Sequence, residues 1–209
     1  VKSVGREKTN LSLSIEKYVP ERLDATVSVL ASAFVANPLH VRTFGTARLD
    51  RNRLFFRIGV QHMFAGHTFV ALLGDKVNGF LHFTPSPECL PSPEQMAVVV
   101  GDLFKPLGAA LPRLLEWFSA WSRLDPDRPH VHLGPIAVAP TVQRQGIGTA
   151  LMNRYLQHLK EWRAAGYLET DRAENVEFYK QFGFTVLHEE QLLETPTWYL
   201  WRPPGNRRN

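Results

Sequence analysis

With a single cysteine, Cys89, in 209 residues, the chain has no internal disulfide. A fold without such cross-links suits a reducing compartment, and a cytoplasmic location is expected. Cys89 sits in a proline- and serine-rich loop, Pro85-Ser86-Pro87-Glu88-Cys89-Leu90-Pro91-Ser92-Pro93, where it reads as incidental rather than nucleophilic. Long apolar runs are missing too. None reaches the roughly 20 residues that crossing a bilayer takes, and no secretory leader opens the sequence, so no membrane partner is expected. Metal-ligand spacing is also lacking. The eight histidines are scattered, only His130 and His132 forming a close pair, and no metal is expected. Charge of one sign is not strongly dominant, since 24 basic residues against 20 acidic ones leave +4. The basic residues Arg48, Arg51, Arg53 and Arg57 are spread along a helical stretch, and the dense cluster is the tail that ends in Arg207-Arg208-Asn209. Residues 203–209 read as a disordered tail, and nucleic acid is not an expected partner. No repeat is visible. With 44% apolar and 21% charged residues, the chain reads as one domain, 1–209, acting as a monomer or homodimer.

What the sequence does hold is a strand joined through a glycine-punctuated turn to an amphipathic helix. Ile136, Ala137 and Val138 read as buried strand. Ile147, Leu151, Met152, Tyr155, Leu156, Leu159 and Trp162 then recur at helical spacing. Between them lies Gln143-Arg144-Gln145-Gly146-Ile147-Gly148-Thr149. At a helix N-terminus the first backbone N–H groups lack intrahelical partners and the dipole adds positive potential, so main chain alone can hold a phosphate. Gly146 and Gly148 allow unusual dihedrals and close approach of a ligand to the backbone. The P-loop pattern fails, because Gly148 is followed by Thr149-Ala150 instead of Lys-Ser/Thr. The dinucleotide fingerprint fails because its third small residue would be Leu151. A Gln-x-x-Gly-x-Gly turn remains, with a ligand-free glycine turn as the plain alternative.

That turn resembles the pyrophosphate signature of the GCN5-related N-acetyltransferase (GNAT) superfamily. A second segment is similar in the same order and spacing: Leu168-Glu169-Thr170, then Asn175, Phe178-Tyr179 and Gly183-Phe184. In layout the chain is most similar to puromycin N-acetyltransferase-like members, which usually have Ser where this chain has Asp171. The resemblance implies an acetyl-CoA-dependent N-acetyltransferase of the acyl-CoA N-acyltransferase fold. It also implies a cofactor gap between the fourth and fifth strands, with Ile136 and Val138 pairing the pantetheine amides and an N–H near Ile136 stabilising the oxyanion. Pro135 supports an interrupted strand there, because it removes a ladder donor.

A pass along the chain gives strands at Ser12–Lys17, His67–Leu73, Val77–Thr84, His130–Ala139, Tyr167–Asp171, Thr185–Leu193 and Thr197–Arg202. Helices are expected at Glu21–Phe34, Ala47–Phe64 and from Ile147, with a further one carrying Asn175 and Tyr179. Residues 85–129 form a helical insertion before the fourth strand, interrupted at Pro106, Gly108 and Pro112. The fold class is therefore α/β, with a mixed, mostly antiparallel central sheet and helices on both faces. Phe104, Leu107, Leu111, Trp117, Phe118 and Trp121 of the insertion are expected to wall an acceptor pocket, simple packing being the alternative.

Roles follow by position. Tyr179 stands where the family has its general acid, and a phenol near ~10 can protonate a thiolate whose acid has a pKa of about 8.5. Its alternative is a core aromatic beside Phe178 and Phe182. Asn175, one turn earlier, can bond the cofactor's amides. For the base, His130 and His132 share a strand face by alternation. His132 and, on the neighbouring strand, Glu169 are the candidates. The expected reaction is direct acetyl transfer to a small-molecule primary amine. Protein or peptide N-acetylation and a catalytically idle CoA-binding sensor domain are the alternatives.

Overall fold

Residues 12–64 and 67–205 are described by a computed structural model. In chain order they form β1 (Leu13–Lys17), α1 (Leu23–Phe34), α2 (Pro38–Phe44), α3 (Leu49–His62), β2 (His67–Leu73), β3 (Lys76–Pro85), α4 (Pro93–Leu107) and α5 (Leu111–Leu124). Then follow β4 (Val131–Val138), α6 (Ile147–Trp162), β5 (Gly166–Thr170), α7 (Ala173–Lys180), β6 (Thr185–Leu192) and β7 (Thr195–Arg202). The expected tail reaches beyond the described residues at 206–209.

The strands build one sheet in the order β1-β2-β3-β4-β5-β7-β6. Every neighbouring pair is antiparallel except β4 with β5. Strand alternation divides the core between the two faces. Phe69, Ala71, Leu81 and Phe83 pack with Ile147, Leu151, Tyr155 and Leu159 of α6. Val70, Leu72 and Phe80 turn the other way, onto Val29 and Leu30 of α1 and Phe56 and Val60 of α3. Helices thus cover both faces, as the periodicity predicts.

Three local expectations are corrected. The stretch between Phe34 and Ala47 carries no expected element, yet it contains α2, which opens on Pro38 and closes at Gly45 with φ of 97°. Proline at a first helical turn and glycine past the last are end signals, but seven residues are too few for periodicity to register. Pro106 does not interrupt the insertion: α4 runs through it to Leu107 and stops where Gly108 takes φ of 48°. Pro112 sits in the first turn of α5, where its missing N–H costs nothing. Finally, the insertion's apolar faces meet helices more than sheet. Val99, Leu103, Leu107, Leu111, Leu114 and Trp117 cluster with Leu39 and Phe44 of α2 and Ile58 of α3, and Leu192 is their one buried strand partner.

The junction of β4 with β5 is packed to its limit. A Cβ on Gly166 would lie 2.7 Å from the Tyr155 hydroxyl and 2.9 Å from Leu159. That hydroxyl is committed, donating to the Val131 carbonyl at 2.7 Å. Gly166→Ala should therefore lower unfolding free energy by about 1–3 kcal/mol in urea denaturation, the ordinary cost of overpacking a core. An unchanged midpoint would show that the junction has room.

Candidate active site

β4 and β5 pair at only two positions, Val131 with Gly166 and His132 with Tyr167. Beyond them β4 follows β3, and its register slips: Leu133 to Ile136 on β4 spans the same length as Phe83 to Leu81 on β3. β4 carries one extra residue there, a bulge at Gly134-Pro135. Bulges bend a strand and re-aim its side chains, and here the bend opens a wedge between β4 and β5. The wedge falls between the two strands named for the expected cofactor gap.

A cavity of about 950 Å³ occupies the wedge and extends beneath the insertion. It brings together Tyr179, His132, Glu169, Asn175 and Ile136, and Gln143 and Arg144 also line it. Trp117, Phe118 and Trp121 wall it as expected. Phe104 does not, being 63% exposed on the outer side of α4, and Leu107 and Leu111 are spent in helix packing. Phe34 of α1, His40 of α2, Phe55 of α3 and Asn37, just before α2, supply further wall, none of them expected from the sequence.

The glycine turn leaves β4 and enters α6. Gly146 heads the helix at φ of 83°, with no side chain capping it, and Arg144 is also left-handed at φ of 61°. The first backbone bond of the ladder runs from Ala150 to Gly146 at 2.9 Å, so the amides of Ile147, Gly148 and Thr149 come before it. Gln145, Gly146 and Thr149 are exposed, while the Ile147 side chain is buried in the core. Gly148 differs from Gly146. Its backbone is not left-handed, and a Cβ would meet only Phe178 at 3.6 Å and Val138 at 3.8 Å. The fold itself has room for a methyl group there. Gln143, itself exposed, donates to the Val138 carbonyl at 3.1 Å. Ala137 faces α1, which leaves only its backbone for any ligand.

The polar end of the cavity centres on His132. Its Nε2 lies 2.7 Å from Glu169 Oε2, and its Nδ1, 3.5 Å from Asp125, is buried without a hydrogen bond. A Cβ on Gly134 would stand 3.9 Å from that Nε2, so the glycine leaves the pair open on the side of the bulge. His130 shares the strand face, as alternation predicts, with Nε2 3.4 Å from Asp125. Cys89 stands 3.8 Å from both Asp125 and His130. Burial opposes charge on His132, but Glu169 and Asp125 outweigh it and raise its pKa well above the ordinary value. His130 is likewise disfavoured by burial and raised to about 9 by its bonds to Asp125 and Cys89. Burial pushes Asp125 up, yet the two imidazoles hold it well below the usual carboxylate range. The Cys89 thiol, also opposed by burial, is lowered by the same two rings. Cys89, read from the sequence as incidental, stands in contact with Asp125 and His130.

Tyr179 is buried, and its pKa is raised by that burial and by the charge of Asp171, so it remains a protonated phenol at neutral pH. Asn175 donates to the Thr170 hydroxyl at 3.1 Å, which keeps its amide oxygen for a ligand. Asp171 accepts from the Leu39 amide at 2.8 Å and from Asn37 at 3.4 Å. It thereby anchors the first turn of α2 to the end of β5, across 132 residues of sequence. Nothing local to Asp171 or Asp125 announces these partners; only the folded topology does.

A family model described as the acetyltransferase (GNAT) family matches residues 37–184. Among solved structures, the chain is similar to a histone acetyltransferase HPA2 and related acetyltransferase from Corynebacterium glutamicum. That match has 21% identity and a TM-score of 0.72 over 95% of this chain and 99% of that one. It is similar to the polyamine N-acetyltransferase of Drosophila melanogaster, which catalyses formation of N-acetylagmatine, at 15% identity and a TM-score of 0.65 over 91% and 98%. A GNAT-family acetyltransferase from Brucella melitensis in complex with acetyl-CoA matches at 16% and 0.52 over 94% and 90%. At these identities the likeness is one of fold.

Proposed function

We propose, from the premise that this chain belongs to the acetyltransferase (GNAT) family, that its acceptor is a small-molecule primary amine with an apolar body. The chain is an N-acetyltransferase with acetyl-CoA as co-substrate. The observation that carries the reading of the acceptor is the make-up of the cavity: aromatic rings from α3 and α5 line it, and the buried Glu169 carboxylate ends it. Apolar walls with a few convergent polar groups are what small ligands use. A cationic head beside Glu169 and an apolar body against Trp117 and Phe118 satisfy both ends.

Acetyl-CoA supplies an activated acetyl group, a thioester. The amides that open α6 suit its pyrophosphate, and Gly148, with room for a Cβ that it lacks, suits close approach of that anion. The bulge at Gly134-Pro135 leaves backbone groups of β4 near Ile136 facing the wedge, as hydrogen-bond partners for the pantetheine arm and the acetyl oxygen. The amine nitrogen forms its bond to the acetyl carbon as the carbon–sulfur bond breaks. Glu169, held by His132, accepts the amine's proton, and Tyr179 donates its proton to the departing sulfur. His132 then acts as a positioning residue, since Nε2 is already engaged with Glu169 and Nδ1 is turned away toward Asp125.

Assayed by thiol release from acetyl-CoA, a panel of aminonucleosides, polyamines, arylalkylamines, amino acids and short peptides should give turnover with small amines that carry apolar groups. Turnover confined to peptides would move the acceptor to proteins, and cofactor binding without any turnover would leave a sensor domain. For the donor, Gly148→Ala should melt like the parent when unliganded but bind acetyl-CoA at least about tenfold more weakly, about 1.4 kcal/mol, in thermal-shift titration. Equal affinity would remove the α6 N-terminus from the donor site. For the chemistry, Tyr179→Phe and Glu169→Gln should each lower kcat by about 10²-fold while donor affinity stays close to the parent's. A variant with unchanged kcat, where chemistry limits the rate, has lost its assigned role.

A further inference from the structure

Cys89, Asp125, His130 and His132 come from three separate segments: the loop after β3, the C-cap of α5 and the start of β4. One donor atom from each lies within 4.8 Å of the other three. Four of the six edges are 3.4 Å from His130 Nε2 to Asp125, 3.5 Å from His132 Nδ1 to Asp125, and 3.8 Å from Cys89 Sγ to both Asp125 and His130. A tetrahedral zinc ion with bonds of roughly 2.0–2.1 Å to N and O and ~2.3 Å to S has edges of about 3.3 Å between N or O donors and about 3.6 Å to sulfur.

The second observation lies in the other ring nitrogens. A ligating histidine normally gives its second N–H to a carboxylate or a backbone carbonyl, which sets the tautomer and aims the ring. His130 Nδ1 is 2.9 Å from the Arg128 carbonyl, and His132 Nε2 is 2.7 Å from Glu169. Both rings therefore turn their remaining nitrogen toward Cys89 and Asp125, and His132 Nδ1 is buried there with no hydrogen bond of its own.

We propose that Cys89, Asp125, His130 and His132 bind one zinc ion, which clasps both ends of the helical insertion to β4. Thiolate, imidazole and carboxylate together select zinc over calcium or magnesium. Four protein donors close a tetrahedral shell, so the ion holds structure and presents no open position to a substrate. Binding displaces protons from the thiol and from any protonated imidazole, leaving thiolate, carboxylate and two neutral rings on the metal. The ion closes the 36-residue span between Cys89 and Asp125. It also reaches the acceptor pocket, since His132 ligates through one nitrogen and orients Glu169 through the other. That last link rests on the reading of Glu169 as the base; the site itself does not.

The test reads metal, so its outcome is separate from that of acetyl transfer. Protein incubated with zinc and desalted should retain a stoichiometric amount by elemental analysis, and Cys89→Ser and His130→Asn should each lose most of it. Cobalt(II) in place of zinc should give the parent a sulfur-to-cobalt charge-transfer band that Cys89→Ser abolishes. Chelator should lower the parent's melting temperature, and zinc should restore it. Should a variant fail to fold, the cobalt band of the parent still decides whether a thiolate is a ligand. A parent that retains no zinc, variants that retain it equally, or cobalt bound without the band would each overturn the site and leave a cluster of ion pairs.

Discussion

Two rungs of parallel pairing hold β4 against β5, and the site depends on where the strands part after them. A buried backbone group must find a partner. While β4 keeps to β3 it satisfies one edge, but past His132 its other edge faces the wedge. An extended molecule with amides of its own can supply what β5 no longer does. The closed end is tightly packed: Gly166 leaves no space for a side chain beside the Tyr155 hydroxyl, which donates to the Val131 carbonyl and so ties α6 to the start of β4.

The parts of this arrangement written in short range were legible from the residues. Strand alternation divided the core between two sheet faces, and helical spacing from Ile147 onward located α6. Pro135 marked the interrupted strand, and the His130–His132 alternation put both rings on one side. What escaped lies across long separations or in short elements. Asp125 meets the histidines only because α5 ends beside β4, and Cys89 joins them from a loop whose composition suggests no role. α2 offered too few residues for a period. Its anchor, Asp171, lies at the far end of the chain, at the position where the sequence departs from the puromycin-like layout.

The same separation explains which expected pocket residues were misplaced. An amphipathic pattern tells that a helix has a buried face, without telling what covers it. Leu107 and Leu111 are buried, but against other helices, whereas Trp117 and Trp121 of the same insertion reach the cavity.

The insertion's habit of packing on helices has a consequence for how such a chain diverges. Its buried apolar contacts are mostly with α2 and α3, Leu192 of β6 being the strand residue among them, and its chain joins the sheet at the β3 and β4 ends. No ladder bond runs through α4 or α5, so residues on their faces away from Leu192, Arg123 and Leu124 can be exchanged without touching strand register. On the proposed reading, acceptor choice and acyl chemistry sit on parts of the chain that can change separately. A change of amine then needs new side chains on the insertion alone, while the sheet, the bulge and the glycine turn stay as they are.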